Sequence, residues 1–122
     1  MKIAVSSTGS TLDSEVDPRF GRCAYFIIIV DPDTMEWEAI SNEAAQMGGG
    51  AGIKAAQLVA DKGAKAVISG NYGPSAFLSL MAANIKVFTG ASGSVRDAID
   101  KYKKGQLNES TEPSVGRHFG MR

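Results

Sequence analysis

Residues 48–74, GGGAGIKAAQLVADKGAKAVISGNYGP, decide the fold. The stretch reads as a glycine-rich loop, a helix, a short buried strand and a second glycine-containing loop that opens another helix. Within residues 53–62 the polar Lys54, Gln57 and Asp61 fall three and four apart, on one face. Ile53, Ala55, Ala56, Leu58, Val59 and Ala60 fill the other sides, so this helix is covered on most of its surface. Gly63 suits the left-handed position that stops it. Residues 66–69, AVIS, are short and apolar enough to be a central strand. Pro74 is placed for the first turn of the next helix. Glycines precede both helices, where free backbone N–H groups gather and an anion can sit.

Working outward, residues 75–83 read as a helix with Ala76, Phe77, Leu80 and Met81 inward, and residues 85–88 as a strand. Ser94 caps a third helix, with Asp97 completing a weak capping box. Its apolar positions Val95, Ala98, Ile99 and Tyr102 keep helical spacing, and Gly105 stops it. From residue 106 to 122 the chain is polar, contains Pro113, and reads as a loose tail after a single domain over residues 1–105. Toward the N-terminus, residues 3–7 form a strand. Residues 8–22 form a long, polar, acidic loop, and loops of that length are often functional. Residues 25–30, YFIIIV, are a strand buried on both faces. Asp31 and Pro32 give turn chemistry, and residues 35–41 return antiparallel.

This order predicts an α/β fold with five strands. Right-handed crossovers make strands 3, 4 and 5 parallel, and the hairpin reverses strand 2. If strand 1 also opposes strand 2, the carboxyl ends of strands 1, 3, 4 and 5 share one rim with the start of strand 2. Ser6, Ser7, Cys23, the loop of Gly48, Gly49, Gly50 and Gly52, and Gly70, Asn71 and Gly73 should therefore converge, as ligand sites do in open α/β sheets.

Composition limits the function classes. The 122 residues carry 13 Lys+Arg and 13 Asp+Glu. That balance argues against a general nucleic-acid binder, which needs a basic face. A lone Cys forms no internal disulfide. No apolar run approaches the ~20 residues of a membrane span, and the N-terminus lacks a signal peptide's apolar core. A cytoplasmic protein with no membrane and no nucleic-acid partner is the expectation.

Each candidate group has a plain reading beside its functional one. Cys23 is either a small buried hydrophobe or a rim thiolate whose pKa Arg19 and Arg22 lower. His118, in the tail, is either a surface side chain or an imidazole donated to the rim when the tail folds back. Arg19, Phe20, Gly21 and Arg22 either clamp an anion, with Gly21 giving the backbone room, or leave both arginines in water while Phe20 packs. The glycine loop lacks the Lys and Ser/Thr of a P-loop and the spacing of a dinucleotide fingerprint. It is either a flexible connection or a cradle that orders around an anion. Asp13, Glu15 and Asp17 read as a solvated acidic loop. With one His in the chain, no Ser-His-Asp set can be argued, and no enzyme activity is expected.

Several pieces together resemble the dinitrogenase iron–molybdenum cofactor biosynthesis proteins, or nitrogenase accessory factors. They are MKIAVSS, VDPRFGRCAYFII, NEAAQMGGGAGIKAAQLVADKGAKAVISGNYGPSAF and NIKVF, which span most of residues 1–90. The resemblance implies a ribonuclease-H-like three-layer α/β/α sandwich with strand order 3-2-1-4-5. It also implies that the protein holds, carries or helps assemble an iron–sulfur or iron–molybdenum type cluster or its precursor, with cluster-assembly proteins as partners. Arg19 stands where the family pattern often has His, and Gly49 stands at or near a second such position. Cys23, His118 and thioethers such as Met47 are then the soft ligands left. Two other functions remain open: an enzyme or sensor binding a phosphorylated metabolite or nucleotide at the glycine loops, and a regulatory subunit acting through protein contacts.

Overall fold

The computed structural model describes residues 1–111. Strands β1 (Lys2–Ser7), β2 (Tyr25–Asp31) and β3 (Glu36–Ser41) come first, followed by a short 3-10 helix, Glu43–Gln46. Then α1 (Ala51–Asp61), β4 (Ala64–Ile68), α2 (Pro74–Ala82), β5 (Lys86–Thr89), α3 (Val95–Lys103) and β6 (Asn108–Glu109) complete the fold. The sheet order is β3-β2-β1-β4-β5-β6. β1, β4 and β5 run parallel, and β2 is antiparallel to both β1 and β3. This is a mixed α/β fold with the expected order over the first five strands.

Six strands replace the expected five. Leu107 packs against the core beside Phe88 and Tyr102, and that anchor brings Asn108 and Glu109 antiparallel to Thr89 and Phe88. The stretch read as a loose tail therefore begins as part of the sheet; His118 lies outside the described residues.

Alternation along the strands sorts their side chains to two faces. Ala4, Phe26, Ile28 and Val67 meet α1 and α2 through Ala55, Val59, Phe77 and Leu80. Ile3, Val5, Ile27, Ile29, Ala66 and Ile68 meet α3 through Val95, Ala98 and Ile99. Ile27, Ile28 and Ile29 are fully buried, as a strand between two neighbours and two covered faces must be. On β3, Trp37 is half-exposed, because β3 is an edge strand. α3 is held as its sequence suggests, with the Ser94 hydroxyl accepting from the Asp97 N–H at 3.0 Å.

The connection between β1 and β2 is not the solvated loop its composition suggests. Leu12, Val16 and Phe20 are buried. Val16 N–H donates to Gly93 O, Asp17 N–H to Ser6 O and Asn71 N–H to Pro18 O. Short bridges pair Ser7 with Val16, Glu15 with Ser94 and Arg19 with Asn71. The loop is thereby strapped over the carboxyl ends of β1 and β4.

Candidate functional site

The shared rim exists. Phe20 N–H donates to Asn71 O at 3.2 Å, and the Phe20 ring lies 5.2 Å from that of Tyr72. Gly21 lies so close to the start of α1 that an added Cβ would come within 3.2 Å of Gly52 Cα. A Cβ on Gly52 would in turn come within 2.9 Å of Ala76 Cβ on α2. Small residues here let the first loop and the two helix starts touch.

Between them opens a cavity of about 440 Å³, lined by Arg19, Phe20, Gly21, Arg22, Gly50, Ala51, Gly52, Asn71, Gly73, Pro74, Ser75 and Ala76. Gly50 caps α1 at φ 75, a left-handed conformation that glycine adopts without strain, and Gly73 caps α2. Neither cap supplies a side-chain hydrogen bond. The first N–H groups of both helices therefore keep their hydrogen-bonding capacity, and the positive ends of both dipoles meet at this cavity. Among the described residues its lining contains no carboxylate, thiol or imidazole. A second cavity of about 470 Å³ adjoins it through Arg19 and Arg22, and is completed by Thr8, Asp17, Ala24, Ala45 and Gln46.

The two arginines are held differently. Arg19 Nε lies 3.3 Å from Asp17 Oδ1, which also accepts the Arg19 backbone N–H at 2.9 Å. Arg22 Nη1 donates to the carbonyls of Ala45 and Met47, and Nη2 donates to Gly48 O at 3.4 Å.

Several expected site residues serve the walls instead. Ser6 Oγ donates to Asp17 O at 2.7 Å and pairs with Ser69 Oγ at 2.8 Å, while Ser7 Oγ donates to Gly9 O. Both serines are buried, and their hydroxyls fasten the first loop. A Cβ on Gly70 would fall 2.8 Å from Pro18 Cα, so this glycine permits a close crossing of two loops. Gly48 and Gly49 are exposed and stand outside the cavity lining.

Of its two readings, Cys23 takes that of the small buried residue. It sits at the expected end of the sheet, but its sulfur faces inward, donates to Phe20 O at 3.4 Å and lies 3.7 Å from Asn42 Nδ2. Desolvation by burial pushes its thiol up to about 12, outweighing the hydrogen bonds from Ser7 and Asn42 that favour the thiolate. The arginines do not reverse this, because both guanidinium groups lie outside the core. Among the described residues no three His, Cys, Asp or Glu side chains gather where a metal ion could be held.

Two important residues escaped the sequence reading. Asp17 is only 4% exposed, unlike the solvated acidic loop that the composition of residues 8–22 suggests. Of its companions, Asp13 pairs with Arg96 at the surface and Glu15 is exposed. Asn42 donates to Gly21 O and Cys23 O and caps the 3-10 helix by accepting from Ala44 N–H. An Asn just before a helical turn is a capping signal, and it stood in the sequence to be read.

Strand ends, glycine loops and helix starts enclosing a cavity lined by two arginines define a small α/β protein with a positively charged rim. The family is settled by comparison: residues 1–105 match the model of the dinitrogenase iron–molybdenum cofactor family, and the chain belongs to it. The apo form of the orange protein from Desulfovibrio gigas is 40% identical, with a TM-score of 0.90 over 93% of this chain and 96% of that one. A Thermotoga protein provisionally assigned as NifB is 37% identical, with a TM-score of 0.81 over 93% and 97% of the two chains. An uncharacterised protein of Methanocaldococcus jannaschii is 32% identical over 111 residues, 89% of this chain and 91% of its own. Among the described residues no helix is long and apolar enough to cross a membrane.

Proposed function

We propose that this protein is a non-catalytic carrier whose rim cavity holds an anionic, iron-containing metallocluster or its precursor as cargo. The observation that carries this reading is the lining itself: two helix starts and two guanidinium groups, with no acidic side chain among the described residues. Such a lining favours negative charge through N–H donors and dipoles. The fit has a condition. Among the described residues the lining offers no thiolate or imidazole donor, so on this reading the cluster arrives with its metal ions already ligated and is held from outside by hydrogen bonds and charge. Cys23, as placed here, is not its ligand. Delivery of a finished cluster implies assembly or acceptor proteins as partners, in the cytoplasm.

The helix starts suit a phosphate group equally well, so a phosphorylated metabolite or nucleotide is the competing cargo. Purification without oxygen, followed by iron and molybdenum analysis and absorbance, separates the two. Coloured protein whose metal content falls in Arg19→Ala and survives in Cys23→Ala supports the carrier reading. Colourless, metal-free protein whose melting temperature rises with phosphate compounds would sink it.

A further inference from the structure

The geometry assigns the two arginines unequal tasks: Arg19 meets the anion, and Arg22 is a positioning residue that holds the glycine loop as a wall of the cavity. This rests on reading the cavity as an anion site.

Arg19 is 66% exposed in its side chain and tethered only through Nε. Its two Nη groups have no protein partner among the described residues. A guanidinium held by Nε presents the outer pair of nitrogens as a fixed fork, the geometry that suits an oxyanion or thioanion edge. Asp17, buried beneath it, sets that direction and also partly neutralises the charge.

Arg22 has the opposite arrangement. Both of its Nη groups donate to carbonyls, those of Ala45, Met47 and Gly48. These carbonyls lie at the end of the 3-10 helix and the start of the glycine loop. The loop has little else to hold it. A Cβ at Gly48 or Gly49 would meet nothing within 4 Å, and one at Gly50 would touch only the Met47 side chain at 3.8 Å. Three carbonyls turned to one guanidinium leave the loop's opposite side, with the N–H groups of α1, turned to the cavity. An anion that captured Arg22 directly would have to break these bonds and release the wall that completes its own site.

The test uses the full chain and molybdate, a dianion, as probe. Titrations at low and high salt give affinity and its salt dependence, and backbone amide relaxation of Gly48, Gly49 and Gly50 in the ligand-free protein gives loop order. Arg19→Ala is expected to weaken binding roughly tenfold or more, as loss of a charge-assisted contact does, and to flatten the salt dependence while loop order stays unchanged. Arg22→Ala is expected to weaken binding with a salt dependence close to wild type, and to drop the loop order parameters below ~0.6, the flexible range. Arg22→Lys, which can reach a carbonyl, should recover part of both. Unchanged loop order in Arg22→Ala, or a salt dependence flattened as much as in Arg19→Ala, would overturn the assignment. If the wild-type protein binds no molybdate, the anion reading fails, while the loop measurement still decides the task of Arg22.

Discussion

The two loops that frame the cavity differ more than their compositions suggest. The first, residues 8–22, is long and polar, yet it buries Leu12, Val16, Phe20 and even Asp17. The second, around Gly48, Gly49 and Gly50, is exposed, and Arg22 is its main tie to the body. The difference shows that a few apolar anchors at the right spacing fix a loop, because each removes apolar surface from water at about 25 cal/mol per Å². Glycines offer no such surface. A rigid wall and a wall held by one side chain then face each other across the site, so its shape can respond to the ligand from one side only.

The largest effect should come from removing the first loop's anchor. Phe20 is buried, with its ring 5.1 Å from Phe26 and 5.2 Å from Tyr72. Phe20→Ala should cost about 3–5 kcal/mol in urea unfolding, the range for aromatic truncation in a core. A loss below about 1 kcal/mol would mean that the loop is not anchored as described. Next comes the loop crossing: Gly70→Ala places a methyl 2.8 Å from Pro18 Cα, a backbone atom that cannot swing aside. About 1–3 kcal/mol should be lost, as in other overpacked positions, and an unaffected midpoint would show that the crossing has slack.

Cys23 gives a pH-dependent contrast at the same wall. Burial raises its thiol from 9.0 to about 12, so the folded state keeps its proton where the unfolded chain releases it. The associated stability is whole below about pH 9 and declines as pH rises toward 12. At pH 10 the loss should be about 1 kcal/mol relative to neutral pH, and Cys23→Ala should lack that component. Equal alkaline losses in the two proteins, or rapid reaction of the native thiol with a disulfide reagent at pH 8, would place the sulfur at the surface. The smallest effect belongs to the second loop. Gly49→Ala meets open space and should stay within about 0.5 kcal/mol of wild type. A loss beyond about 1 kcal/mol would show that this loop is packed after all.

Much of this was legible in the chain. The apolar run of β2, the turn at Asp31 and Pro32, the helix stops at Gly63 and Gly105 and the Ser94 cap are local signals, and local signals set elements and their order. Order with right-handed crossovers then set the rim, because parallel strands must end at one edge. The sixth strand was not legible: Asn108 and Glu109 have no strand pattern, and Leu107 acts only once Phe88 and Tyr102 stand beside it. Ser6 and Ser7 carried no mark of their role either, since hydroxyls pair with whatever the fold brings near.

Thus the sequence by itself determined the elements, the reversal of β2 and the edge at which the glycine loops, helix starts, arginines and Cys23 meet. Periodicity, turn residues and chain connectivity are properties of neighbours along the chain. Tertiary structure alone decided which of those groups face the cavity. It turned the Cys23 sulfur into the core, buried Asp17 under Arg19 and spent Arg22 on the carbonyls of the glycine loop. Burial and hydrogen-bond partners come from residues distant in sequence, so the same side chain can be a ligand contact or a structural tie until the fold has closed around it.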